Sequence, residues 1–455
     1  MPGFLFNPSR AMISRSLFPA DSPYARSLRI AWPEGIAAAV ITAIADYYLI
    51  PLALMMGAVP YEIGLLVAIP HLLGSLSQLW ACRMVLTLGS RRRVLVLSAA
   101  SQAVFFAPLA ILPFFPFSGR FAFMIALVAV YRILGNLIGT VLSSLLGDYL
   151  DENWRGKFLG WRLRIVGIAG LVTMASAGAL MSHAKLQWAS GAFLIVFTAA
   201  SLSRAVSACY LSRVQDVPYA HPANGAAGSF SLWQFLGGFG SRNFTNFVVY
   251  AAGMMFSAMV VSPYISVYML KELKFDYFTY ITIHMAAVTS GLLVFPLWGH
   301  HADKVGNAHI LKATGALIPF IPLYWMTVKT PWILFLCECC SGFIWAGFNL
   351  CAVNFIFDAV RPENRVKCLS YFNLLNGIAI FAGSSAGGFL SSHLPQWFGS
   401  RFYLLCLISF LGRLGTTLYL SGKFREVRPA LPKLSNLDLF FSVLGIKPAF
   451  TEAEN

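Results

Sequence analysis

Of the 455 residues, 58% are hydrophobic and only 11% are charged, against roughly a quarter charged in a soluble chain, so a soluble globular fold is excluded. The mean hydropathy of +0.70 agrees with a chain dissolved in lipid. The net charge of +15 would suit nucleic acid, but the basic residues occupy alternate inter-helix segments and so belong to anionic lipid headgroups.

Residues 1–33 carry Arg10, Arg15, Arg26 and Arg29, several serines and one acid, Asp21. They lack the apolar core and small-residue cleavage site of a secretory signal. A membrane-skimming cytoplasmic segment is the expectation here, with an organellar transit peptide as the alternative. Apolar runs then predict spans at 34–57, 62–82, 94–115, 121–147, 160–183 and 188–210. Each is close to the ~20 residues that a ~30 Å hydrocarbon core demands. The stretch 211–245, with Asp216, Pro218, His221, Pro222 and Asn224-Gly225, is the one segment long and polar enough to link two bundles. Six further spans follow at 246–271, 277–299, 308–328, 332–357, 369–393 and 402–422, then a cytoplasmic tail, 423–455. Its apolar patch Leu437–Leu444 is expected on the membrane surface.

The chain is thus expected to be an all-α integral membrane protein with two six-helix bundles, 34–210 and 246–422. Of 33 Lys and Arg, six (Arg120, Lys185, Lys271, Lys274, Lys329, Arg401) lie in one set of loops or at the span ends beside them, three (Arg132, Arg204, Arg413) deep inside spans, and the remaining 24 in the other set of loops, the adjoining span ends and the termini. By the positive-inside rule both termini are cytoplasmic, in a plasma (bacterial inner) membrane.

The halves repeat. Asp148 precedes Arg155 by seven residues, as Asp358 precedes Arg365, with Glu152-Asn153 and Glu363-Asn364 between. Arg204 leads to Tyr210-Leu211-Ser212 as Arg413 leads to Tyr419-Leu420-Ser421, and the turn at Gly89 answers that at Gly306. The offsets of 210, 209 and 217 residues each join span n to span n+6. Such parallel repeats place a binding site between the halves near the bilayer midplane.

The stretch Gly299-His300-His301-Ala302-Asp303-Lys304-Val305-Gly306-Asn307 resembles the major facilitator superfamily signature between the second and third helices of a half. Glycine allows the tight turn, Asp303 suits a helix N-terminus, and Lys304 fits the positive-inside bias. The N-terminal copy departs from it: Cys82 and Leu86 stand at the first glycine and aspartate positions, leaving Gly89 and Arg91-Arg92-Arg93. The resemblance implies that Gly89, Arg91, Gly299, Asp303, Lys304, Gly306 and the repeated Asp148, Arg155, Asp358 and Arg365 are conformational loop elements. Arg242-Asn243-Phe244 through Pro263, Val267-Tyr268 and Leu270-Lys271 is similar to a bacterial branch of the superfamily, which implies no substrate. The sugar-porter and glycine–proline antiporter signatures are absent.

Ionisable groups at midplane depth are costly and mark functional sites. Asp46 lies twelve residues into the first span, ~18 Å deep at 1.5 Å per residue, and Arg132 eleven residues into the fourth, which enters from the other side. In the superfamily these helices line the central cavity, and an acid facing an arginine resembles the coupling pair of proton symporters; the alternative is a static buried ion pair. Helical periodicity adds Asn136 and Thr140 to Arg132, groups Glu338, Ser341, Trp345 and Asn349 on the tenth span, and groups Tyr250, Met254, Ser257, Tyr264 and Tyr268 on the seventh. Interhelical packing is the alternative for each. His71 and His284 are expected as core residues, Arg204 and Arg413 as snorkelling or packing residues.

The eight cysteines sit mostly in apolar runs and are expected to be free; Cys337 and Cys339 project about 200° apart on a helix and form no metal site. No phosphate-cradling loop and no metalloprotease helix occur. No metal, cofactor, nucleic acid or catalytic chemistry is therefore expected. The expected function is secondary transport of a small solute, with protons as possible co-substrate, by a monomer in the bilayer. Efflux, a transport-inactive sensor or assembly factor, and a membrane-embedded enzyme stand as alternatives.

Overall fold

The computed structural model describes residues 23–184, 188–217, 235, 242–360, 365–427 and 436–443. The N-terminal segment before Pro23, most of the linker, Lys185, Glu363 and Asn364 lie outside the described residues. Twelve helices there are long and apolar enough to cross a membrane. They are α1 Ala25–Tyr47, α2 Pro60–Leu88, α3 Arg91–Phe114, α4 Arg120–Tyr149, α5 Trp154–His183, α6 Ala189–Leu211, α7 Arg242–Glu272, α8 Tyr277–Val305, α9 Asn307–Thr327, α10 Pro331–Ala359, α11 Cys368–His393 and α12 Phe402–Lys423.

Sequence chemistry sets their ends. Gly89 takes φ 63°, a left-handed value that ends α2, and Ser90 then caps α3 by accepting from Arg93 N at 3.0 Å. Gly306 (φ 87°) makes the equivalent turn between α8 and α9. The largest departure from expectation is α1, which starts nine residues before 34 and carries Pro33 inside it. Arg26, Arg29, Pro33 and Glu34 interrupt the apolar run, yet the helix continues through them, with Glu34 partnered from other helices.

The core divides in an informative way. One apolar cluster runs across both halves, joining Leu52, Phe106 and Phe193 to Tyr264, Tyr280 and Phe402. A second, with Leu28, Val94 and Phe158, belongs to the first half alone, and a third, with Phe247, Trp298 and Phe355, to the second. The shared cluster lies toward the ends of α2 and α8 that begin at Pro60 and Tyr277. The separate ones lie toward the basic face, at the Arg91–Arg93 turn in the first half and the Gly306 turn in the second.

The shared end is sealed. A Cβ on Gly64 of α2 would meet Tyr264 Oη at 2.5 Å and the Ser384 carbonyl of α11 at 2.7 Å. Tyr280 Oη donates to the Tyr47 carbonyl at 2.9 Å, and Ser182 Oγ of α5 donates to Asp276 at 2.7 Å. Toward the basic face the cleft widens: Gly139 and Gly147 on α4 and Gly156, Gly160 and Gly170 on α5 have no foreign atom within 4 Å of an added Cβ.

A short helix, α13 (Asn436–Val443), follows α12. The expectation that Leu437–Leu444 lies on the membrane surface is corrected over this range. Leu439 is fully buried, the Phe440 ring sits edge-on to Trp298 at 5.8 Å, and Ser442 Oγ bonds His301 Nε2 at 2.9 Å. An apolar stripe serves bilayer and protein equally; here it packs on α8.

Candidate functional site

The cleft narrows to a cavity of about 490 Å³ whose wall comes almost wholly from α1, α4, α5 and α6. Asp46 and Arg132 both line it. Arg132 Nη2 lies 2.6 Å from Asp46 Oδ1, with the side chains 25% and 37% exposed, so the pair meets in a water-reachable space. Asn136, one turn along α4, shares the wall.

A second charged group in the same wall has no counterpart among the residues predicted from sequence. Glu34, 1% exposed, accepts from Arg162 Nη2 at 2.9 Å and lies 3.8 Å from Arg204 Nη1. Ser207 Oγ donates to its other oxygen at 2.9 Å and itself accepts from Arg204 Nη1 at 2.8 Å, while Arg162 Nε donates to the Ala31 carbonyl. A carboxylate out of water needs such company, since a buried charge without partners is expensive. Arg204 is therefore neither snorkelling nor apolar packing; it is a buried partner of Glu34. The available signal was the pairing problem itself: Glu34 adjoins an apolar run, and arginines on two other spans lie near the same depth.

With fold and cavity defined, comparison with known proteins is decisive. Residues 35–356 match the Major Facilitator Superfamily. The chain belongs to the major facilitator superfamily. No curated protein matches it by sequence alone. Solved structures of similar fold include the nucleoside transporter NupG (TM-score 0.67, 11% identity, covering 88% of this chain and 99% of that one). A D-xylose–proton symporter (0.66, 14%, 89% and 97%) and a bacterial homologue of the iron transporter ferroportin in an inward-facing state (0.65, 13%, 88% and 98%) are also similar. At these identities the likeness concerns the fold. The chain is thus a multi-pass membrane protein of the superfamily with the fold of its solved transporters.

Within the superfamily fold, the second-half residues expected in the cavity sit elsewhere. Tyr250 is fully buried, donating to the Leu311 carbonyl at 3.4 Å and packing on Phe424 at 5.2 Å. Tyr264 is buried in the sealed end, donating to Ser384 O at 3.0 Å. Glu338 is buried and accepts from Tyr324 Oη at 2.5 Å. Trp345 is half-buried against Phe348, Asn349 is exposed, and neither lines the cavity. Shared helical spacing was correct for these residues, but spacing does not say which side of the helix meets the cleft.

The loop elements do come together. Arg91, 2% exposed, reaches Asp148 at 2.6 Å, and donates to Ser144 Oγ and to the Val217 carbonyl, each at 3.0 Å. In the second half Asn307 Nδ2 donates to Asp358 at 2.7 Å. Arg155 caps the Gly147 and Leu150 carbonyls at the end of α4, and Arg365 the Val360 carbonyl after α10. Asp303 does not sit at a helix N-terminus as expected: it is exposed in the last turn of α8. Glu426 instead takes that anion's place, accepting from Ala308 N at 2.7 Å as α9 begins. Its repeat partner 210 residues earlier, Asp216, accepts from Ser90 Oγ and Arg92 N where α3 begins. Lys304 and Gly299 flank the same turn. The described cysteines are free, and no cluster of metal-ligating residues occurs among the described residues.

Proposed function

We propose that this superfamily member is a secondary active transporter that takes up a small solute with protons, by alternating access, with both termini cytoplasmic in a plasma membrane. The Asp46–Arg132 pair inside the cavity is the observation that carries the reading. Ionised Asp46 holds Arg132. A proton taken from the sealed side removes that hold, frees the guanidinium for the solute, and changes which end of the cleft closes at least energy. Rocking of the six-helix halves would open the seam at Gly64 and close the basic face. One charge moved through 100 mV supplies ~2.3 kcal/mol, about fiftyfold accumulation.

Export would use the same groups and the same proton gradient, with solute and proton moving in opposite directions. With the basic face cytoplasmic, a proton entering from the sealed side moves inward, and a solute carried with it is taken up. The test is solute accumulation in proteoliposomes across an imposed pH gradient, with Asp46→Asn beside the wild type. Gradient-driven accumulation should be lost in the variant while exchange of solute at equal pH persists. Equal gradient-driven accumulation by both proteins would remove Asp46 from the coupling step.

A further inference from the structure

We propose that the solute is a monoanion carrying an apolar body, an inference that rests on the cavity being the transport site. The charge of the wall supplies the first argument. Its ionisable residues are Arg132, Arg162 and Arg204 against Asp46 and Glu34, an excess of one cation. In a cleft with low-dielectric walls, one sign in excess concentrates the opposite sign in the ligand.

The second argument is donor accounting. A guanidinium has five N–H donors. Arg132 places one nitrogen, Nη2, on Asp46 and Arg162 uses Nε and Nη2, leaving Arg132 Nε and Nη1 and Arg162 Nη1 for a further acceptor. Arg204 belongs to the Glu34 cluster and takes no part in this count. Buried donors without acceptors are unfavourable, and a carboxylate is the acceptor whose geometry fits a guanidinium edge.

Spacing gives the third. Glu34 and Asp46 stand twelve residues apart on the continuous helix α1, ~18 Å along its axis. One anionic group therefore cannot touch both charged clusters. Between them α1 offers Gly35, Ala38, Ala39, Thr42 and Ala43, a strip of small residues whose one hydroxyl, Thr42 Oγ1, already donates to the Ala38 carbonyl. A solute whose charged end takes Arg132 lays its remainder on that strip. Arg162, nearer the open end, meets the anion on its way in. A cation meets the excess positive charge, a neutral analogue accepts from the guanidinium without matching its charge, and a dianion exceeds the single compensating charge.

The experiment uses four aromatic probes of similar shape on the full chain in detergent, read by thermal stabilisation over a concentration series: benzoate, benzamide, benzylammonium and phthalate. Benzoate should bind at least about tenfold more tightly than benzamide, the factor for one charge-assisted hydrogen bond. Arg132→Gln should erase that preference. Asp46→Asn, which raises the excess to two cations, should tighten benzoate binding, a gain that a merely structural role for the pair would not produce. Equal or tighter binding of benzamide or benzylammonium, tightest binding of phthalate, or stabilisation by none of the four overturns the proposal. Failure of the transport reading looks different. Benzoate bound with the stated preference but no solute accumulated in vesicles would discard transport and keep the anion site. A pH-driven accumulation of neutral solutes only would do the reverse.

Discussion

Arg204 and Arg413 occupy the same place in the two repeats, 209 residues apart, and have opposite surroundings. Arg204 lines the cavity beside Glu34 and Ser207. Arg413, equally buried, donates to the Ile318 carbonyl at 3.2 Å within the second half's own packing. The other cavity charges have no charged twins. At offsets of 209 and 210, Glu34 falls on Asn243 and Phe244, Asp46 on Met255 and Phe256, Arg132 on Ser341 and Gly342, and Arg162 on Tyr371 and Phe372. Duplication preserved the devices that turn and cap helices. The charges of the cavity gathered in one half, and the second half contributes Val288 to its wall.

That comparison breaks most readily at Glu34. Glu34→Ala leaves Arg162 and Arg204 without their carboxylate, one of them deep in the helix bundle. Losing one member of a buried charge network costs about 3–5 kcal/mol, so a large fall in thermal stability in detergent is expected. Adding Arg204→Met should recover part of the loss, because it removes one unpaired charge, and the coupling in that double-mutant cycle measures the network. A Glu34→Ala protein as stable as wild type would mean that the asymmetry between the halves is not electrostatic.

How much of this was legible beforehand depends on how local the information is. Twelve spans and the twofold repeat were readable because hydropathy and spacing act along the chain. The Asp46–Arg132 contact was reachable because two depths could be counted from opposite faces. Glu34 was not, since its partners lie 128 and 170 residues away and its neighbours Pro33 and Arg29 look like a helix boundary. Tyr250 and Tyr264 were misplaced because periodicity fixes which residues share a face, whereas the rotation of α7 is set by packing against α9, α11 and α12. Leu439 was misassigned because apolar area has no label for its acceptor, lipid or helix.

The loop devices sharpen the comparison at a smaller scale. Arg91 joins Asp148, Ser144 and the Val217 carbonyl, where Asn307 is bonded to Asp358 alone among the contacts described above. Hydrogen bonds to charged groups contribute about 1.5–3 kcal/mol each and neutral ones about 1 kcal/mol. Asp148 is half exposed, so water takes over part of its loss. Arg91→Ala should then destabilise by about 2–3 kcal/mol and Asn307→Ala by about 1–2 kcal/mol, measured by thermal unfolding in one detergent. Equal losses, or a larger one at Asn307, would show that the second-half loop is the stronger latch, despite having the shorter donor.

The smallest expected effect lies at the sealed end. There α2 begins with Pro60, and Glu62 accepts from Val59 N at 3.0 Å within its own half. The equivalent helix α8 is capped by Asp276, which accepts from Phe278 N at 3.1 Å and Thr279 N at 3.4 Å, and also from Ser182 Oγ of the opposite half. Partial burial works to raise the Asp276 pKa. The hydrogen bonds from Thr279, Ser182 and the two backbone N–H groups outweigh it and hold the pKa below its ordinary value. A lowered folded-state pKa makes the ionised cap a stabilising element above the unfolded value of about 3.9, and that contribution disappears as the pH falls through the folded value. Asp276→Ala should therefore cost about 0.5–2 kcal/mol at pH 7, the usual range for a lost N-cap. The gap between variant and wild type should begin to narrow below about pH 4, the unfolded carboxylate value, and close as the pH falls through the lower folded value. In the same variant, spin labels at the outer ends of α5 and α8 should report a broader distance distribution at pH 7. A stability gap that persists or widens at pH 3 would mean that Asp276 acts through its shape rather than its charge, and that the two halves are fastened there by the tyrosines alone.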